Sequence, residues 1–178
     1  MRTTKPWDAR REEGMSILVR HAMTHAPTTI RPDMNVADAA GMMRSEDVGS
    51  IPVVDGDLLV GIITDRDIVI RVVADRRDPM EVTVVEVMTS SPHTVSPDAR
   101  LSEAREQMER NRVRRLAVTK GDELVGILSL GDVAWAGAST RELGEALKAV
   151  SESEATREHA EDAVRGTPQR VRDARESR

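Results

Sequence analysis

Aliphatic and polar positions follow two rhythms along the chain, and the rhythms change in the same order twice. Val36, Ala39, Ala40 and Met43 fall at i, i+3, i+4 and i+7, the spacing of one buried stripe on a helix. Leu101, Ala104 and Met108 echo that stripe later in the chain. Each helix is followed by two short aliphatic runs. In the first copy, Ile51 to Val54 and Leu58 to Ile63 flank Asp55-Gly56, a dipeptide that supplies the positive φ of a tight hairpin turn. Lys120-Gly121 holds the same place in the second copy. A further helix opens at Thr64 or Ser129. Ahead of each striped helix lie a short helical turn (Ile17 to Met23; Val82 to Met88) and a brief extended piece (Pro27 to Ile30; Pro92 to Val95). The order β-α-β-β-α, read twice, predicts an α/β architecture with small sheets packed on helices.

The repetition extends to individual residues. Displaced by 65 positions, Met15 falls on Met80, Met23-Thr24 on Met88-Thr89, Pro27 on Pro92, Pro32-Asp33 on Pro97-Asp98, and Leu59-Val60-Gly61-Ile62 on Leu124-Val125-Gly126-Ile127, with no gap. The expected organisation is an N-terminal flexible arm (1–14), one repeat over 15–79, a second over 80–138, an amphipathic helix over 139–150 and a charged, partly disordered tail over 151–178. That helix is announced by Ser139-Thr140-Arg141-Glu142, a capping box, with Leu143, Leu147 and Val150 on one face. A unit of about 60 residues buries little surface alone, so the two copies are expected to share one core and to be related by a pseudo-two-fold axis. The cleft between them is then the expected site, itself doubled.

Composition narrows the chemistry. The 178 residues include no Cys, Phe or Tyr, and only Trp7 and Trp135 as aromatic residues, so the core must be aliphatic. Without cysteine there are no disulfides, thiolate nucleophiles or sulfur-ligated metals, which suits a reducing cytoplasm. The first residues, Met1 to Gly14, are charged, and no apolar run approaches the length of a membrane span. A formal charge of -5 opposes general attraction to nucleic acid.

The sharpest motif is duplicated: Gly61-Ile62-Ile63-Thr64-Asp65-Arg66-Asp67-Ile68 and Gly126-Ile127-Leu128-Ser129-Leu130-Gly131-Asp132-Val133. Each is an apolar strand, then a hydroxyl residue, then an Asp three positions on at a helix entrance. One reading is structural, with hydroxyl and carboxylate capping the helix and nothing bound. The other is a nucleotide site, in which the hydroxyl and helix end meet phosphate while the carboxylate accepts hydrogen bonds from a ribose diol.

These residues, together with Ala22-Met23-Thr24, Val87-Met88-Thr89, Thr29-Ile30-Arg31-Pro32, Thr94-Val95-Ser96-Pro97 and Ile51-Pro52-Val53-Val54-Asp55, resemble the tandem CBS-domain proteins, whose pair is called a Bateman module. The similarity runs from about Met15 to Ala138 and is strongest to small stand-alone bacterial members. It implies a regulatory module whose inter-repeat cleft binds an adenosine-containing ligand: AMP, ADP, ATP or S-adenosylmethionine. By resemblance, Asp67 and Asp132 hold ribose, Thr64 and Ser129 contact phosphate, and Arg115 adds a phosphate-binding cation. Adenine is expected near Thr28 to Ile30 and Ile51 to Val53, or their counterparts. Arg115 corresponds to Ser50, so the half-sites are unequal. Further departures are Ala117 for Pro52, Lys120 for Asp55 and Leu130-Gly131 for Asp65-Arg66, and no Phe or Tyr can stack on a base. The resemblance also implies a homodimer, with Ile68, Val69, Val72 and Val73 as contact candidates.

Other constellations are weaker. His21 and His25 are four apart but have no third ligand, so they are read as solvated or capping and no metal is expected. Arg110, Arg112, Arg114 and Arg115 are read as a solvated basic face with some salt bridges. No nucleophile elbow, phosphate loop or paired base is present, so no enzyme and no cofactor are expected, adenine nucleotide being a regulatory ligand. The alternative is a constitutive dimerisation or protein-interaction scaffold with no bound nucleotide. In either case the chain would serve a downstream protein that its sequence does not identify.

Overall fold

A computed structural model describes residues 16–136 and 139–151. The N-terminal arm and all but the first residue of the charged tail lie outside the described residues. The elements, in chain order, are a 3-10 turn at Val19–His21, β1 Thr24–His25, α1 Val36–Glu46, β2 Ser50–Asp55, β3 Leu58–Thr64, and α2 Asp65–Ile68, which continues as a π-helical turn at Val69–Val73. The second copy follows with α3 Val84–Val87, β4 Thr89–Ser90, β5 Thr94–Val95, α4 Leu101–Asn111, β6 Arg115–Lys120, β7 Glu123–Ser129, α5 Leu130–Trp135 and, last, α6 Thr140–Ser151. The repeat is visible in the backbone itself. Positive φ recurs at Ala26 and Ser91, at Asp47 and Arg112, and at the hairpin glycines Gly56 and Gly121.

The strands form one sheet in the order β2-β3-β7-β6-β5, with β1 on β7 and β4 on β3. The extended pieces before each striped helix differ between copies. In the second, Thr94 and Val95 pair in parallel with Ala117 and Val118 of β6, and Ala117 N–H donates to His93 O at 3.2 Å. In the first, a single bridge joins Ile30 to Val53, because Pro52 stands where Ala117 has its N–H and cannot donate the extra bond.

Two aliphatic clusters form, rather than one shared core, and neither is made by one repeat. The first contains Ile30, Val36, Ala39, Met43, Ile51, Val53, Ile63 and Val72 of the first copy, closed by Val82, Val84 and Val87 of the second. The other contains Val95, Leu101, Ala104, Met108, Leu116, Val118, Leu128 and Val133, closed by Val19 and Met23 from the start of the first copy and by Ala146 of α6. The short helical turns are therefore exchanged. Backbone bonds weld each in place: Val36 N–H to Val82 O and Val84 N–H to Met34 O on one side, Val19 N–H to Ala99 O and Leu101 N–H to Ile17 O on the other, all at 2.8–2.9 Å. Arg71 adds a lock from the first copy, its Nη1 donating to Val87 O at 2.5 Å and Met88 O at 3.1 Å. Each buried valine so exchanged contributes about 1.5–3 kcal/mol of transfer free energy.

At the entrance to α3, Glu86 accepts from Thr83 N–H and Thr83 Oγ1 and pairs with Arg77. Those bonds, the Thr83 N–H first, hold its carboxyl below the usual range. At the far end of the chain, Ser139 and Glu142 form the expected capping box. The face of α6 that turns inward is Leu143, Ala146 and Val150, whereas Leu147 is exposed; at i+4 from Leu143 it falls on the outer side of a stripe centred on Ala146.

The repeated Val-Gly-Ile of β3 and β7 is explained by the exchange. A Cβ on Gly126 would stand 2.7 Å from Met23 Sδ and 2.8 Å from Thr24 O, the strand that crosses it. Gly126→Ala is therefore expected to destabilise by about 1–3 kcal/mol through overpacking. Gly41→Ala, on α1 with nothing within 4 Å of the new methyl, should stabilise by about 0.5–1 kcal/mol. Urea unfolding of both variants measures the contrast.

Candidate functional site

β3 and β7 pair at Leu58 and Glu123, with Leu59 N–H donating to Asp122 O and Leu124 N–H to Asp57 O, both at 3.1 Å. Further along, each takes the other copy's exchanged strand instead, β4 beside Gly61 and Ile62 and β1 beside Gly126 and Ile127. The central strands therefore do not pair where they run into their helices, and a cleft remains between the copies.

A cavity of about 620 Å³ occupies that region, lined among others by Ser50, Thr64, Asp67, His93, Arg115 and Ala117. Its volume lies within the usual range of small-molecule sites, about 300–1,000 Å³. Two corners meet in it. The first copy supplies the turn from strand to helix, Thr64 to Asp67, with Gly49 and Ser50 alongside. The second supplies the turn from helix to strand, Arg112 to Arg115, and the loop residues Pro92 and His93. Val150 and Ser151, in the last turn of α6, form part of the wall, and Ser151 Oγ lies 3.5 Å from Arg114 Nη2.

Both duplicated motifs form complete helix caps. Thr64 Oγ1 accepts from Asp67 N–H at 3.1 Å and donates to Asp67 Oδ2 at 2.6 Å, and Thr64 N–H donates to that same oxygen at 2.9 Å. Ser129 and Asp132 repeat the arrangement at 3.1, 2.7 and 2.8 Å. The hydroxyl and one carboxylate oxygen are thus engaged locally, which leaves Oδ1 of each aspartate. Asp67 Oδ1 lies 3.5 Å from Arg71 Nη2, with the carboxylate side chain 13% exposed. At the position equivalent to Arg71 the second copy has Ala136, so Asp132 has no such neighbour.

The expected site residues divide. Thr64, Asp67 and Arg115 come together in the cavity. Ser129, Asp132, Thr28, Ile30, Ile51 and Val53 do not line it; Ile30, Ile51 and Val53 are buried in the first cluster. Ser129 pairs with Arg115 across the β6–β7 ladder. Beside it Leu130, which replaces Asp65, is buried in the second cluster. His93, the counterpart of Thr28, does line the cavity.

The basic cluster is solvated as read, Arg110, Arg114 and Arg115 being exposed, but among the described residues lacks the salt bridges expected of it. Arg112, Arg114 and Arg115 face the cavity and, among the described residues, make no salt bridge. Their clustering was visible in sequence, but not that Arg66 from the other copy would join them. The histidine pair serves local backbone: Leu18 N–H donates to His21 Nδ1, and His25 Nε2 meets Arg20 O. Among the described residues, no three His, Asp or Glu side chains gather as a metal set, and no helix is long and apolar enough to cross a membrane.

Comparison with known proteins gives these features a context. The family model for the CBS domain matches twice, over residues 19–74 and 84–139. The CBS domain-containing protein YhcV of Bacillus subtilis is 37% identical over 133 residues, spanning 75% of this chain and 94% of its own. Two solved structures are similar in shape. One is Hypoxic Response Protein I with two coordinated zinc ions, at TM-score 0.62 and 33% identity, with 67% of this chain and 98% of that one covered. The other is CBSX2 in complex with AMP, at TM-score 0.59 and 27% identity, with 67% and 94% covered.

The caps make a prediction independent of any ligand. Thr64→Ala and Ser129→Ala should each lower stability by about 1 kcal/mol through loss of the cap, read as a shift of the urea midpoint at constant slope.

Proposed function

The chain belongs to the CBS-domain family, with two domains in tandem, and from that premise we propose that it is a non-enzymatic regulatory module that takes an adenosine-containing ligand in the cavity between its repeats. The observation that carries this reading is the meeting of Asp67 from one copy with Arg115 from the other in one cavity. A carboxylate suits a ribose diol and a guanidinium suits phosphate. The AMP held by CBSX2 supports the same ligand class. The base has an aliphatic slot available among Ile62, Pro92, Val113 and Ala117.

In this reading the first-copy aspartate is the principal ribose acceptor, because it lines the cavity and Asp132 does not. Thr64 and Ser129 act through the caps that aim those carboxylates. The roles given to Thr28, Ile30, Ile51 and Val53 pass to the counterparts on the other side, His93 and the strand around Ala117. Ligand contact with Arg114 and with the wall formed by Val150 and Ser151 biases the docking of α6. A ligand moves such an equilibrium only by its difference in affinity for the two states.

A second reading has its own observation. The caps are completed by the chain's own hydroxyl and carboxylate groups, and apolar side chains stand exposed on the two equivalent helices: Val69, Ile70 and Val73 on the π-helical continuation of α2, and Trp135, 74% exposed, at the end of α5. A homodimer burying these faces would be a scaffold without a nucleotide. Val72, expected at that contact, is instead fully buried in the first cluster, because the π turn directs it inward between its exposed neighbours.

Calorimetric titration separates the two readings: adenine nucleotide binds under the first and not under the second. With binding, Asp67→Asn should weaken affinity about tenfold or more, the worth of a hydrogen bond to a charged group, while Asp132→Asn should change it little. Equal losses at both positions would remove the preference for the first-copy aspartate.

A further inference from the structure

Four arginines line the cavity, Arg66, Arg112, Arg114 and Arg115, against two aspartates, Asp65 and Asp67. With histidine neutral, the wall carries two positive charges in excess, in a chain whose formal charge is -5. Among the described residues none of the four is in a salt bridge. The carboxylates are already engaged. Asp65 Oδ1 accepts from Arg66 N–H at 2.7 Å, and Asp67 serves its cap and Arg71. Cations left together in one cavity repel each other unless an anion joins them.

The repeat supplies an internal control. At the equivalent positions of the other copy stand Gly131 for Arg66, Asp47 for Arg112, Gly49 for Arg114 and Ser50 for Arg115. Every cavity arginine therefore occupies a place where the partner copy has no cation, and one of those places holds a negative charge. Arg112 carries a conformational cost as well. Its φ is 54°, a left-handed conformation that Gly, Asn or Asp adopts more readily.

A single phosphate, with about two charges, is satisfied by one or two forked guanidinium contacts. We propose that the ligand of this cavity carries a chain of two or more phosphates, as in a nucleoside di- or triphosphate, that Arg112 and Arg114 engage the phosphates beyond the first, and that one such ligand binds per chain. The adenosine part rests on the function proposed above; the polyphosphate part rests on the arginines alone.

The test is calorimetric titration of the full chain with AMP, ADP, ATP, GTP and inorganic tripolyphosphate. ATP should bind at least tenfold more tightly than AMP, with one site per chain, and its advantage should shrink as salt is raised. In Arg112→Gly and Arg114→Gln, singly and together, the advantage of ATP over AMP should fall toward unity. Glycine suits the left-handed backbone at position 112, and an unchanged melting temperature reports an intact fold. Equal affinities for AMP and ATP, or two equivalent ATP sites per chain, would overturn the proposal while leaving an adenosine site standing. Equal binding of ATP, GTP and tripolyphosphate would uphold the polyphosphate site and overturn the adenosine reading. No binding by any of the five would overturn both.

Discussion

The structure depends on a reciprocal exchange of short segments. Val82, Val84 and Val87 complete the core of the first copy, while Val19 and Met23 complete that of the second. Neither copy closes its own aliphatic cluster, so burial of each segment joins the two halves. Gly61 and Gly126 make the exchange sterically possible, since a methyl on either would run into the methionine and the carbonyl of the crossing strand. The same crossing lays β4 beside β3, and its paired residues Ile62 and Thr89 both line the cavity. Fold and site thus share one cause.

Symmetry in the backbone coexists with asymmetry in the chemistry. The caps at Thr64 and Ser129 agree within about 0.1 Å in each hydrogen bond, as the physics of an N-cap requires of either hydroxyl. Side chains that do not hold the backbone are free to differ. Asp65 is a carboxylate on the cavity wall and Leu130, its counterpart, is a buried hydrophobe. Arg115 and Ser50 begin equivalent strands and both line the same cavity. A duplicated fold thus lines this cavity with unlike side chains from its two copies.

The helix α6 joins that cavity to the C-terminal part of the chain. Ala146 is fully buried in the second cluster, which anchors the helix to the face of the second copy. Its last turn reaches the cavity wall at Val150 and Ser151. A group bound beside Arg114 is thus one contact away from the last turn of α6.

Much of this was legible in the sequence. Periodicity alone located α1, α4 and the paired hairpins, because stripes at helical spacing and alternation around glycine turns are local consequences of burying one face. The 65-residue displacement disclosed the duplication, and the Ser/Thr-x-x-Asp spacing disclosed both caps, since a cap is made within four residues. The exchange of the helical turns was not legible: Val19 and Val84 are equivalent in sequence, and nothing local says which core each will enter. Nor could spacing tell that Arg66 and Arg112, 46 positions apart, would face one cavity, or that Ser129 and Asp132 would stand outside it. Local chemistry is written in neighbouring residues, whereas the partnership of distant corners is decided only when two incomplete cores close upon each other.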